Sequence, residues 1–270
     1  MTFTRKLMAG AVALGLSTSG AFAAVIDLGF AIDESGSVSG SPAVATSELG
    51  LIRGGLAAAL DLIPSVGATD NPNTYTVTIV RFASSASTLV TKTAITDVTR
   101  AEIQNTLLTA PRTGGGTNIP SAVNKLTEEV CGFGTDTCSA DTTLFNIATD
   151  GSGGNPATSG ANAAAIDAGV DGISYEAIGG GLSPSSITAF AFPSPVELVT
   201  NAADLPNPIN NGFVFAVSSF EDFEDAIAAK VGRIVIDTGG GNANVVPLPA
   251  GVWLLLAGLG ALGAVKRRKA

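Results

Sequence analysis

The chain predicts an α/β domain, a doubly wound and mostly parallel central sheet with helices on both faces. Strand-like and helix-like signals alternate over residues 25–236, and repeated strand–helix units bury their apolar sides only by stacking helices on both faces of a parallel sheet. Three segments rich in side-chain oxygens also sit where strands end or helices begin: Asp33-Glu34-Ser35-Gly36-Ser37, Gly114-Gly115-Gly116-Thr117-Asn118 and Ile147-Ala148-Thr149-Asp150-Gly151. In open α/β sheets the ligand site lies in the loops beyond the carboxyl ends of the strands. One shared rim for the three segments is therefore expected.

The elements follow in order. Residues 25–32 are an apolar run suited to a buried strand. Ser41-Pro42 reads as an N-cap followed by proline at the first helical position, and Leu49, Ile52, Leu56, Leu60 and Ile63 recur at helical spacing. Residues 75–82 alternate like a strand, and 87–92 form a short neighbour to it. Asp97 is placed to cap a helix through 108, and a further helix covers 119–130. Residues 142–148 read as a buried strand ending at Asp150, 157–170 as an alanine-rich helix, and 173–178 as the next strand. The Gly, Ser, Pro and Asn of 179–211 predict a long irregular connection. Residues 213–217 are a last strand, and Ser218 and Glu221 have the spacing of a capping box before the helix bearing Phe220, Phe223, Ile227 and Val231.

The two ends are of different character. Residues 1–23 combine Arg5 and Lys6, an apolar core and Ala21-Phe22-Ala23, the three parts of a secretory signal peptide. Residues 245–265 carry no charge and lead directly into Lys266-Arg267-Arg268-Lys269. That is long enough to span a bilayer as a C-terminal transmembrane helix, with the basic cluster on the cytoplasmic side. The expected organisation is a signal peptide at 1–23, one domain at 24–236, a Gly/Asn linker at 237–245 and a tail at 246–270.

The chain has 270 residues and no histidine. All 23 acidic residues fall between residue 24 and about residue 240, with only 8 of the 14 basic ones, for a net charge of −15 there. So acidic a surface excludes nucleic acid as a natural partner. The missing histidine removes imidazole acid–base chemistry, Ser-His-Asp triads and zinc-protease motifs. Cys131 and Cys138, with six residues between them, are expected to form a local disulfide in an oxidising compartment.

Asp33, Ser35 and Ser37 present one carboxylate and two hydroxyls at two-residue spacing from a strand end. Thr117 adds a third hydroxyl and Asp150 a second carboxylate. Hard oxygen donors of this kind suit Mg2+, or Mn2+ or Ca2+, ions that take oxygen ligands and retain positions for water or a partner. Taken singly, each segment has a plainer reading: an Asx or Ser turn, a flexible loop with a helix cap, a strand end with a turn. Their joint occurrence at strand–helix junctions favours the metal site.

In this order the three segments resemble the von Willebrand factor type A (integrin I-like) domain. Residues 33–37 match its Asp-x-Ser-x-Ser, Thr117 stands in its Gly-Gly-Thr-Asn context, and Asp150 precedes Gly151 as in that family. The resemblance covers about residues 24–236, with the 179–211 connection longer and looser than usual. It implies a metal-ion-dependent adhesion site in which Ser35, Ser37 and Thr117 offer hydroxyls while Asp33 and Asp150 hold water and orient them. It further implies that a carboxylate of a protein or matrix partner completes the coordination. Glu34 is expected to be a solvated loop residue.

Val246-Pro247-Leu248-Pro249-Ala250, a hydrophobic stretch and the basic end resemble a PEP-CTERM sorting signal of the VPLPA type. That likeness implies transient membrane insertion, recognition by an exosortase-type membrane protease, and display at the surface or in the matrix of a Gram-negative bacterium. A plain membrane anchor is the other reading of the same residues. The functional expectation is a non-enzymatic adhesion or protein-binding module. The alternative is a structural envelope or exopolysaccharide-matrix component whose metal only stabilises it.

Overall fold

The structure, a computed structural model, describes residues 23–69, 71–132, 137–179 and 181–239. The signal peptide, the Val246-Pro247-Leu248-Pro249-Ala250 signal and the C-terminal hydrophobic stretch lie outside the described residues. Among the described residues no helix is long and apolar enough to cross a membrane.

Seven strands form one sheet in the order β3-β2-β1-β4-β5-β7-β6. They are β1 (Val25–Asp33), β2 (Thr74–Phe82), β3 (Ala86–Ala94), β4 (Thr142–Thr149), β5 (Gly172–Ile178), β6 (Glu197–Val199) and β7 (Phe213–Val217). Among these strand pairs only the β2–β3 hairpin is antiparallel. The helices are α1 (Glu48–Ala59), α2 (Asp97–Thr109), α3 (Ile119–Cys131), α4 (Ala161–Asp167) and α5 (Phe223–Asp237). Alternating β1 residues divide the core. Ile26, Leu28, Phe30 and Ile32 face a layer built from α1, α2 and α5, whereas Ala31 joins Phe145, Ile147 and the apolar faces of α3 and α4. The doubly wound, mostly parallel α/β architecture is as expected.

Several local expectations shift, each for a hydrogen-bonding reason. Residues 41–47 turn on themselves (Val44 N–H to Ser41 O, 3.0 Å; Ser47 N–H to Val44 O, 2.9 Å), so Ser47, not Ser41, caps α1 by accepting from Gly50 N–H at 3.0 Å. Thr96 rather than Asp97 caps α2, in a reciprocal pair with Thr99. The alanine-rich helix is confined to α4, because the chain turns through residues 155–160 and Gly160 takes a left-handed φ of 85°. The Ser218/Glu221 capping box is replaced by Ser219, whose hydroxyl donates to Asp222 at 3.0 Å just before α5. Within the long connection, Glu197–Val199 adds the edge strand β6. Helix α5 runs on through Asp237, the first residue assigned to the linker, and Asp237 accepts from Ile209 N–H at 2.9 Å.

Cys131 and Cys138 are bonded, tying the end of α3 to the approach to β4. A second tie lies under α5: Lys230, fully buried, pairs with the equally buried Glu176 of β5 and lies 4.9 Å from the Phe213 ring.

What matters for function is the junction of β1 and β4. The chain leaves β1 toward β2 on one side and leaves β4 toward β5 on the other. This is the topological switch point, where the connecting loops diverge and open a crevice at the carboxyl rim. Asp33 ends β1 and Thr149 ends β4, so both stand at that crevice.

Candidate metal centre

Asp33 is fully buried. Its Oδ1 accepts from Ser35 N–H at 2.8 Å and its Oδ2 from the Thr149 hydroxyl at 2.6 Å. The first bond is the two-residue Asx arrangement that turns the chain sharply after a strand. That turn carries Ser35 and Ser37 onto one side, where their hydroxyl oxygens are 2.9 Å apart. The Ser37 hydroxyl then donates to Asp150 Oδ1 at 2.7 Å. Side chains 113 residues apart in sequence thus form one continuous chain of oxygens.

Thr117 arrives from the third side. Its segment is pinned by Gly36 N–H donating to Gly115 O at 2.7 Å and by Gly116 N–H donating to the Ser84 hydroxyl at 2.8 Å. Gly115 has a left-handed φ of 128°, and an added Cβ there would lie 2.7 Å from Ser84 Oγ. Asn118 caps α3, accepting from Ser121 N–H at 3.2 Å, and Ile119 N–H donates to Gly153 O at 2.9 Å. A Cβ on Gly151 would sit 3.2 Å from Thr117 Oγ1. The Thr117 hydroxyl therefore lies against the residue that follows Asp150. All five predicted positions, Asp33, Ser35, Ser37, Thr117 and Asp150, come to one rim.

The electrostatics are unbalanced. Burial pushes the Asp33 carboxyl above its ordinary range; hydrogen bonds from Ser35 and Thr149 pull it back, and the charge of Asp150 pushes it up again. Asp150 is likewise raised by burial, opposed by the Ser37 hydroxyl, with Glu48 adding a like charge. Among the described residues no Lys or Arg pairs with either carboxylate. Two part-desolvated carboxylates beside three hydroxyls, with no cationic side chain paired to either carboxylate, are a donor set that a hard divalent ion fits. With no Cys or His among the five residues it is not a soft-metal set, and among the described residues no three His, Cys, Asp or Glu side chains cluster.

One expectation fails. Glu34 is not solvated but completely buried, paired with the equally buried Arg53 of α1. The alternation of β1 carries on past Asp33, so Glu34 falls on the face of Phe30 and Ile32, toward α1 and α2. Arg53, set among Ile52, Leu56 and Leu60, was the signal for it: a charge in an apolar stripe requires a buried counter-charge. Thr149, Ser84 and Arg112 also support the rim and carry no signature in the sequence.

The fold has known counterparts. Proximal thread matrix protein 1 from the mussel byssus superposes with a TM-score of 0.54 at 16% identity, over 78% of this chain and 47% of that one. A second structure of the mussel protein, with a zinc-occupied MIDAS motif, gives 0.54 at 18% identity, over 78% and 46%. The chain thus spans about half the length of the mussel protein. The conserved hypothetical protein BatB from Bacteroides thetaiotaomicron gives 0.50 at 17% identity, over 78% of this chain and 99% of that one. This is a von Willebrand factor type A fold. No family model matches the chain, and no curated protein does. At these identities the likeness establishes the fold alone.

Proposed function

We propose that this A-type domain holds a divalent cation at Asp33, Ser35, Ser37, Thr117 and Asp150 and uses it to grip a carboxylate on a protein or matrix partner outside the cell. The observation that carries the reading is the hydroxyl–carboxylate chain from Ser35 through Ser37 to Asp150, closed by Thr117 over Gly151. Mg2+ is the first candidate, with Mn2+ and Ca2+ next, because every donor is oxygen. Support from outside the chain comes from a protein of the same fold whose MIDAS motif takes up zinc.

The chain's own residues divide the work. Ser35, Ser37 and Thr117 are neutral donors, and their hydroxyls need only turn their protons outward to offer lone pairs. Asp33 holds the turn through Ser35 N–H and receives the Thr149 hydroxyl, so it orients instead of moving. Asp150 accepts from Ser37, which fixes that hydroxyl's direction. A bound cation supplies a Lewis-acidic position that an incoming carboxylate completes. Because the direct donors would be the three neutral hydroxyls, with Asp33 and Asp150 acting through water, the cation would keep positive charge at the position a carboxylate reaches. Ser37 is exposed, so the rim is open to a macromolecule.

The domain works here by binding, without turnover. The sequence has no histidine, so no imidazole can serve the site as an acid or base. Export, display at the cell surface and processing by an exosortase-type protease at Val246-Pro247-Leu248-Pro249-Ala250 belong to the same reading. A structural matrix role is the second reading, favoured by the matrix protein that shares the fold. Affinity capture from the producer's own matrix distinguishes the two. Partner recovery should require divalent cation and disappear in chelator and with Asp150→Ala; recovery that ignores both refutes the adhesion reading and leaves the structural one.

A further inference from the structure

We propose that Glu34, which stands between two residues of the cation site without belonging to it, is a positioning residue. It fastens the segment carrying Thr117 to the segment carrying Ser35 and Ser37, and so sets the site's affinity for a divalent cation. The inference rests on the cation reading above and adds a determinant to it.

The geometry is a closed clamp. One Glu34 carboxylate oxygen takes the Arg53 guanidinium; the other accepts from Thr113 N–H at 2.8 Å and from the Thr113 hydroxyl at 3.0 Å. Arg53 Nη1 donates to Leu107 O at 2.9 Å and to Ala110 O at 2.7 Å, carbonyls at the end of α2. From the other side Arg112, half-buried, donates to Glu34 O at 3.3 Å and to Ser35 O. The chain from the end of α2 to Gly115 is thereby bound to the β1 turn by side chains as well as by the Gly36–Gly115 backbone bond.

This attachment is where rigidity is needed. Gly114, Gly115 and Gly116 precede Thr117, and a run of glycines left alone samples many conformations. Ordering such a segment costs free energy, and a clamp already made in the fold removes that cost from cation binding. Glu34 cannot swing away without stranding a buried guanidinium, which is strongly unfavourable.

The test uses the full chain and Mn2+ as probe, with affinity from electron paramagnetic resonance and stability from thermal unfolding in chelator. Arg112→Met cuts the outer half of the clamp at a site water can reach. It should bind Mn2+ roughly 10-fold more weakly, the usual effect of losing an outer support, while its unfolding midpoint in chelator falls by no more than about 5 °C. Glu34→Gln should lose more affinity than Arg112→Met, and Arg112→Lys should recover part of the loss. If folded Arg112→Met and Glu34→Gln both stay within about twofold of wild type while Asp33→Ala has lost Mn2+, the clamp serves stability only and the proposal is wrong. Should Glu34→Gln fail to fold, Thr113→Val, which removes the hydroxyl that donates to the Glu34 carboxylate at 3.0 Å, takes its place in that comparison. A wild-type chain that binds no Mn2+ overturns the cation reading itself, and this proposal with it.

Discussion

Gly153→Ala is the sharpest probe of how the third segment is seated. Gly153 does not have a positive φ, so alanine meets no backbone penalty. The obstacle is contact: the new Cβ would lie 2.1 Å from Thr117 O and 2.5 Å from Thr117 Cβ. Ordinary contact needs about 3.4 Å or more, so the two segments must separate by roughly 1 Å at the residue that supplies the third hydroxyl. Overpacking of this size costs about 1–3 kcal/mol. For a domain of this length that corresponds to a fall of roughly 2–12 °C in unfolding midpoint. Cation affinity should fall further than stability, by about 10–100-fold, because Thr117 is displaced from Ser35, Ser37 and Asp150. Isothermal titration with Mg2+ and Mn2+, beside calorimetric unfolding in chelator, measures both. A folded Gly153→Ala chain with wild-type affinity would show that Thr117 has no part in the site.

Other outcomes follow from the same geometry. A carboxyl held above its ordinary range stabilises the metal-free fold below the unfolded value of about 4, and that contribution is lost as pH rises through the folded value. Asp33→Asn, which keeps an acceptor for Ser35 N–H, should therefore flatten the loss of unfolding midpoint as pH rises above about 4 in chelator, and should abolish stabilisation by Mg2+. An Asp33→Asn chain still stabilised by Mg2+ refutes the role given to this carboxylate. Lys230→Met strands the buried Glu176 and should cost about 3–5 kcal/mol in denaturant unfolding; a change under about 1 kcal/mol would mean the pair is held neutral. Cys138→Ser should lower stability by about 2–3 kcal/mol, the effect expected for so short a loop, and reductant should reproduce it on the wild type. Equal stability with and without reductant would deny the disulfide any part.

The fold was legible because its signals are local and repeated. Alternating strands and helices, and the stripe from Leu49 to Ile63, need only periodicity, and all five stripe residues are buried. Helix starts were less legible. Ser41, Ser47, Thr96, Asp97, Ser218 and Ser219 are all competent caps, and which one serves depends on where the preceding turn closes. The candidate site residues were legible for a different reason: Asp33, Ser35 and Ser37 are two apart, so one Asx turn places them together.

By itself, then, the sequence determined the class of fold, the acidity that excludes nucleic acid, and five oxygen-bearing residues at strand–helix junctions. Only the tertiary structure decided how those residues meet. The crossing of the chain at β1 and β4 brings Ser37 to Asp150 and lays Thr117 over Gly151, and no local rule carries a contact over such separations. It decided the place of Glu34 as well. Whether a carboxylate faces water or the core depends on whether a guanidinium waits for it there, and Arg53 does so only once α1 has packed against the sheet.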